Sequence, residues 1–126
     1  MAFEEIAGPA GSPRITAVRG GRFVVGDEAQ EGGFLIWPDG VTPVTARTVD
    51  QLGESDFAPL SGLDIPRDVV LIGSGATMAW PDTALLKHLR DEGLGPEVMD
   101  SRAAARTYNL LLAEERAVAA LILPLE

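Results

Sequence analysis

Residues 98–123, VMDSRAAARTYNLLLAEERAVAALIL, form the stretch that decides the fold. Asp100 and Ser101 are both suited to cap a helix, because either side chain can accept a hydrogen bond from the free amides of a first turn. The alanines and leucines that follow have high helix propensity. After them, Glu114-Glu115-Arg116 indicates a polar turn, and the apolar residues 117–123 predict a fully buried strand.

The predicted helix has a narrow polar stripe between two apolar faces, formed by Arg102, Arg106 and Asn109 at i, i+4, i+7 spacing. A helix that is apolar on both flanks packs on two sides, so the stripe is predicted to be a cleft wall or a partly buried network. Two guanidiniums beside an amide can hold a carboxylate or a phosphate. Alternatively, the arginines pair with the chain's own acids, Asn109 satisfies backbone groups, and Tyr108 is a core aromatic with its hydroxyl at the edge.

Composition excludes several functional classes. The chain has 126 residues, 46% of them hydrophobic, which fits one globular domain with a sizeable core. It has no cysteine and one histidine, His88, so thiolate nucleophiles, cysteine-ligated metals and multi-histidine metal sites are excluded. Metal binding by carboxylates alone stays open, but the acidic residues lack EF-hand spacing, and we assign no metal-binding residue. The net charge of −9 disfavours nucleic acid as a partner and favours attraction to a basic protein surface.

The location of the protein is predicted from its apolar runs and its first residues. The longest wholly apolar run, residues 117–123, is too short to cross a bilayer. The N-terminal MAFEEIAG has acids where a secretory or transit peptide carries bases. We therefore expect a cytoplasmic protein without membrane insertion. Residues 1–126 are predicted to form a single domain, with residues 1–13 as a loose N-terminal arm.

The first 50 residues predict a small antiparallel β unit. Gly20-Gly21 lies between two apolar runs, which is a two-residue hairpin signal. Pro38-Asp39-Gly40 is turn chemistry between residues 34–37 and 41–44, which we expect to pair as strands.

The next part of the chain predicts a βαβ unit. Residues 69–72 are a continuous apolar run, typical of a central parallel strand buried on both faces. A helix over residues 82–92 and a strand over 97–99 follow, and their crossover is expected to be right-handed.

The glycine loop after the central strand invites comparison with dinucleotide sites, but the match fails in detail. Met78 stands at the third glycine position, and Trp80 and Pro81 separate the loop from its helix, so a pyrophosphate would miss the helix N-terminus. Ligands of open α/β sheets nevertheless bind beyond the carboxyl ends of the strands. The candidate ligand-binding residues at that edge are Gly73, Ser74, Gly75, Thr77, Asp100, Arg102, Arg106 and Asn109. Trp80 is predicted to plug the core, with a lid over the cleft as the alternative.

Four pieces of the sequence resemble one known family. They are Gly73-Ser74-Gly75, Val98-Met99-Asp100, Ala104 with Arg106-Thr107-Tyr108-Asn109, and Glu114-x-Arg116 leading into Val118-x-Ala120. Over about residues 14–123 the chain resembles the small α/β domain family of unknown function that includes the mitochondrial complex I assembly factor three and the adipogenesis-associated domain protein.

This resemblance carries a fold expectation and a limited functional one. It implies a single three-layer α/β domain, with a mixed central sheet whose last strand is antiparallel, beside the N-terminal antiparallel β unit. Complex I assembly is implied only for the mitochondrial branch of the family. Ser74 stands where we expect the family to have threonine. No family residue has an agreed catalytic role, so we assign no catalytic residue and no cofactor.

Two functional hypotheses follow from the sequence. The first, which we favour, is a non-enzymatic protein-interaction or assembly module that binds a protein partner or a second copy of itself through its N-terminal β edges or its acidic surface. The second is a binder of, or an enzyme acting on, a small anionic ligand at the Gly73–Thr77 loop and the Arg102/Arg106 helix. A catalytic version would use Asp100, Glu114 or Tyr108 as acid–base groups, so enzymatic activity stays open.

Overall fold

The computed structural model describes residues 11–61 and 69–126, and residues 1–10 of the predicted arm lie outside these ranges. The strands of the described residues are β1 (Ile15–Arg19), β2 (Arg22–Val25), β3 (Glu28–Ala29), β4 (Gly33–Trp37), β5 (Gly40–Val44), β6 (Val69–Gly73), β7 (Pro96–Met99) and β8 (Val118–Ile122). The helices are α1 (Ala58–Ser61), α2 (Thr83–Asp91) and α3 (Ser101–Ala113), with 3-10 turns at Val49–Gln51 and Glu54–Phe57.

The strands form two sheets. β1, β2 and β3 make a three-stranded antiparallel sheet, and the central sheet has the order β5-β4-β8-β6-β7. β6 is parallel to both β7 and β8, whereas β4 is antiparallel to both β5 and β8. The predicted mixed sheet is thus confirmed, and its last strand in the chain, β8, is antiparallel to β4 on one side and parallel to β6 on the other.

Helices and the smaller sheet cover both faces of the central sheet, which gives the predicted three layers. On one face, α3 and the three-stranded sheet share a core with Phe34, Leu71 and Ile122. On the other face, α2 and the short helical segments pack on Leu35, Ile72 and Leu121. The alternation follows from the strand period of two. β6 and β8 are buried throughout, as their continuous apolar runs predicted.

The predicted turns and helix limits are confirmed where the signals are local. Gly20 and Gly21 have φ values of +57° and +79°, a conformation that favours glycine, and they join β1 to β2. α2 begins after Asp82, whose side chain accepts a hydrogen bond from the Ala84 amide, and Gly93 follows its end with φ +80°. No helix within residues 11–61 and 69–126 is long and apolar enough to cross a membrane.

Candidate functional site

The glycine loop that follows β6 packs directly on the first turn of α3. Ser101 is fully buried there, and its Oγ accepts from the Gly75 amide at 2.8 Å and donates to the Leu123 carbonyl at 2.7 Å. A Cβ at Gly73 would lie 2.9 Å from the Ser101 Cα, so this position requires glycine. One hydroxyl thereby ties the carboxyl ends of β6 and β8 to α3.

Several amides of the loop and of the helix start already have acceptors within the chain. The Ser74 amide donates to the Met99 carbonyl at 2.8 Å, and the Ser101 amide donates to the Gly75 carbonyl at 2.8 Å. At the first turn of α3, the Ala103 amide donates to the Asp100 carboxylate at 2.9 Å. Anion sites at helix starts use free amides. An anion at this edge would have to displace the Asp100 cap or use other groups.

A second buried serine shapes the rest of the loop. The Ser74 Oγ donates to the Thr77 carbonyl at 2.7 Å and accepts from the Ala79 amide at 3.0 Å. The two bonds brace residues 74–79 while Met78 is 44% exposed and Trp80 is 68% exposed. The prediction that Trp80 plugs the core is therefore wrong. The next residue along the chain, Pro81, is buried, so its side chain is the one that faces inward.

The polar stripe of α3 divides into two parts. Asn109 is buried, and its amide group bonds both backbone polar groups of Ile15. Arg102 is half-buried and Arg106 is exposed, and no carboxylate in the described ranges pairs with either guanidinium. Pairing of the two arginines with the chain's own acids is therefore not seen in the described ranges. Asn109, in contrast, satisfies backbone groups, as one of the two interpretations of the stripe predicted.

The structure brings together only part of the candidate set. Gly73, Ser74, Gly75, Thr77 and Asp100 lie at the carboxyl edge of the parallel strands, and Arg102 is in the adjoining turn of α3. At a rise of about 1.5 Å per residue, Arg106 lies roughly 7.5 Å and Asn109 roughly 12 Å farther along the helix axis than Ser101. The ligand-binding role of these residues stays a prediction.

Two of the recesses in the molecule are lined by described residues alone, and the candidate ligand residues line neither of these two. The smaller, of about 130 Å³, is lined by Gly20, Gly21, Arg22, Phe23, Gln30, Glu31, Gly32, Arg47, Pro124 and Glu126. The larger, of about 530 Å³, opens beside β7 and is lined by Val69, Arg90, Gly95, Pro96, Glu97, Thr107, Leu111 and Arg116. Within the described part of the chain, no group of three or more histidine or acidic residues is placed to hold a metal ion.

Sequence reasoning missed the two features that define this edge. Ser101 was recognised only as a capping residue, although a serine opening a helix opposite a glycine-rich loop is a signal for a close, hydrogen-bonded contact. The outward position of Trp80 has a weaker signal in the sequence, namely its place between a glycine-rich loop and a proline.

The chain is similar to proteins of several bacteria and one vertebrate. An uncharacterized protein from Rhodobacter capsulatus is 35% identical over 118 residues, which are 94% of this chain and 90% of that protein. The crystal structure described as that of an outer membrane protein from Bartonella henselae has a TM-score of 0.81 and 29% identity, covering 92% of this chain and 98% of that chain.

The vertebrate similarity covers less of either protein. NADH dehydrogenase (ubiquinone) 1 alpha subcomplex assembly factor 3 from Xenopus tropicalis is 33% identical over 57 residues, which are 45% of this chain and 31% of that protein. Residues 15–123 match a family profile as a whole. Because this match spans most of the chain and the Rhodobacter relative covers nearly all of it, the chain belongs to the family described as "Protein of unknown function (DUF498/DUF598)", which confirms the resemblance found in the sequence.

Proposed function

We propose that this protein is a non-enzymatic interaction module that binds a protein partner through Met78 and Trp80, here called the Met78–Trp80 surface. The observation that carries the proposal is the 68% exposure of Trp80, a large apolar side chain on an ordered loop beside a buried proline. Tryptophan is enriched among the residues that dominate protein–protein binding, because it buries a large area and has few rotatable bonds.

The brace on the loop supports a binding role. The Ser74 hydroxyl bonds both the Thr77 carbonyl and the Ala79 amide, so the backbone on either side of Met78 is fixed before any partner arrives. A surface that is already ordered loses less conformational entropy on binding, and more of its contact energy then appears as affinity.

The charge of the chain indicates the chemistry of the partner. With a net charge of −9, the protein attracts basic surfaces and repels acidic ones. We therefore infer a partner that offers an apolar pocket for Trp80 within a positively charged surface. An assembly role is supported by the relative that is named as an assembly factor.

The edges of the central sheet are poorly suited to adding a partner's strand. Gly95, just before β7, and Met99, at the end of β7, accept hydrogen bonds from the residues of and after β6. Backbone groups alternate along a strand, so the nitrogen of Pro96 points outwards. In β5, Gly40 pairs with Trp37 across the two-residue turn. Alternate residues of β5 point their backbone groups towards β4, so the nitrogen of Pro43 lies on the open edge of the sheet. Proline at these positions removes the donor that an added strand would need.

The experiment compares three chains as bait in extract of the source cells, namely the wild type, Trp80→Ser and Val41→Ser. Val41 is the matched control because it is also an exposed apolar residue, at 41%, but lies on β5. The partner retained by the wild type should be purified and its affinity measured against each chain. We expect Trp80→Ser to weaken binding at least about tenfold and Val41→Ser to leave it unchanged. Equal affinity for all three chains would contradict the proposal.

A second candidate is a small-anion binder at the 73–77 loop and α3. The observation in its favour is that Arg102 and Arg106 are neighbours on one helix without a carboxylate partner among the described residues. Two free guanidiniums can hold a carboxylate or a phosphate. A ligand-dependent rise in thermal stability that needs Arg102 separates this candidate from the first.

A further inference from the structure

The charges of α3 run in the opposite order to the one that stabilises a helix. Arg102 is in the first turn and Arg106 in the second, whereas Glu114 and Glu115 follow the last turn. Apart from the N-cap Asp100, the first turn has no acid, and the last turn has no base. Because a helix is partially positive at its start and partially negative at its end, this order is unfavourable in the isolated chain.

The outward face of α3 combines these charges with an apolar residue. Leu110 is 47% exposed, and Arg106 and Glu114 lie one turn before and one turn after it on the same side of the helix. Thr107 and Ala113 flank Leu110 and are half-buried. Among the described residues, neither the Arg106 guanidinium nor the Glu114 carboxylate has a charged partner. The face is therefore open and carries opposite charges at its two ends.

This arrangement is complementary to itself. Arg106 and Glu114 are each four residues from Leu110, or about 6 Å along the helix axis. When a second α3 is laid antiparallel with a two-fold axis at Leu110, Arg106 lies level with the partner's Glu114 along the helix axes, and Glu114 lies level with the partner's Arg106. The two members of each pair lie diagonally across the contact, and the long arginine side chain spans it. Thr107 is likewise level with the partner's Ala113, and these small side chains let the helices approach.

We propose that α3 forms the interface of a symmetric homodimer, with Leu110 on the two-fold axis and an Arg106–Glu114 ion pair on each side. Such an interface is isologous, since the same face of both copies is used. One helix face is at the small end of the range for specific interfaces, and both copies carry the same net charge. The dimer is therefore weak, and salt weakens its two ion pairs further.

This inference is independent of the Met78–Trp80 surface, because the two use different residues on different elements. Loss of dimerisation leaves the proposed partner binding intact, and loss of the Trp80 contribution leaves the dimer intact. The two proposals therefore fail separately.

The test is a charge exchange monitored by sedimentation equilibrium over a concentration series. Arg106→Glu alone places two acids opposite each other, and Glu114→Arg alone places two bases opposite each other, so each variant should remain at the 13.3 kDa of the single chain. An equimolar mixture of the two variants restores both ion pairs in a heterodimer. The wild type and the mixture should approach about twice the single-chain mass at high concentration.

Lys87→Glu provides the control, because it changes the net charge as Arg106→Glu does but lies exposed on α2. This variant should dimerise like the wild type. Since Arg106 and Glu114 are exposed, the variants should keep the wild-type circular dichroism, and their melting temperatures should equal or slightly exceed that of the wild type because each exchange improves the charge order of α3. A wild type that stays monomeric would overturn the proposal. A dimer that survives either single exchange, or a mixture that stays monomeric, would overturn it equally.

Discussion

Asn109 holds both backbone polar groups of Ile15, with its Oδ1 3.0 Å from the amide nitrogen and its Nδ2 2.6 Å from the carbonyl oxygen. Both residues are buried, and the neighbouring Tyr108 hydroxyl donates to the Pro13 carbonyl at 3.0 Å. These bonds join α3 to the first strand of the smaller sheet. The Tyr108-Asn109 pair thus has a structural role, since it connects α3, which packs on the central sheet, to the smaller sheet, which shares no strand with the central one.

Asn109→Ala should destabilise the fold strongly. It leaves a buried amide and a buried carbonyl of Ile15 without partners, and each unsatisfied group costs roughly 1–3 kcal/mol. We expect urea denaturation to show a loss of about 2–4 kcal/mol in the free energy of unfolding. Gln30→Ala is the control, because that amide is exposed and bonds a nearby carbonyl. A change below about 0.5 kcal/mol for Asn109→Ala would mean that the bonds to Ile15 contribute little.

Gly73→Ala should destabilise the protein by overpacking. The new Cβ would meet the Ser101 Cα at 2.9 Å and the Ala104 Cβ at 3.1 Å, and neither can move without shifting α3. Overpacking of this kind costs roughly 1–3 kcal/mol in the free energy of unfolding. Gly53→Ala is the control, because its Cβ would have no atom within 4 Å and its φ of −141° suits any residue. Equal denaturation midpoints for the two variants would show that α3 is not packed closely on the loop.

Ser74→Ala should loosen the loop while the fold persists. The substitution removes the acceptor of the Ala79 amide and the donor to the Thr77 carbonyl. We expect faster hydrogen exchange of the Ala79 amide and weaker partner binding, because the loop must then be ordered during association. Ser74→Thr retains the hydroxyl and should keep the amide protected. Unchanged exchange at Ala79 in Ser74→Ala would show that the serine does not brace the loop.

Anionic metabolites should not raise the melting temperature of the wild type if the interaction proposal holds. A specific ligand at about 100 times its dissociation constant would stabilise the folded chain by about 2.7 kcal/mol, which a thermal-shift screen with phosphate and small carboxylates detects readily. A saturable rise that disappears in Arg102→Ala, but persists in Arg90→Ala, would instead favour the small-anion candidate.

Much of the fold could be predicted because its signals are local. Gly20-Gly21 and Pro38-Asp39 fix tight turns through their own backbone preferences, and the apolar runs of β6 and β8 show burial on both faces. The pairing of β4 with β8 could not be predicted, since it joins segments that are distant in sequence and have no turn between them. The strands before residue 50 consequently divide between two sheets, although their sequence suggests one antiparallel unit.

The candidate site was predicted in part for a similar reason. The carboxyl edge of a parallel sheet is fixed by strand direction, so Gly73 and Asp100 were expected to lie close together, as they do. Whether a polar atom is free at such an edge depends on distant partners. Ser101 bonds Leu123, and Asn109 bonds Ile15, and the local sequence does not indicate which distant residue is the partner of either side chain.

Photo-cross-linking from position 78 in living source cells tests the interaction role most directly. A photoreactive amino acid replaces Met78 in one chain and Val41 in the control chain, and an untagged competitor is co-expressed. We expect position 78, but not position 41, to capture one protein of net positive charge, and wild-type competitor to abolish the cross-link whereas Trp80→Ser competitor does not. Equal cross-linking from both positions, or equal competition by both competitors, would contradict a role for the Met78–Trp80 surface in partner binding.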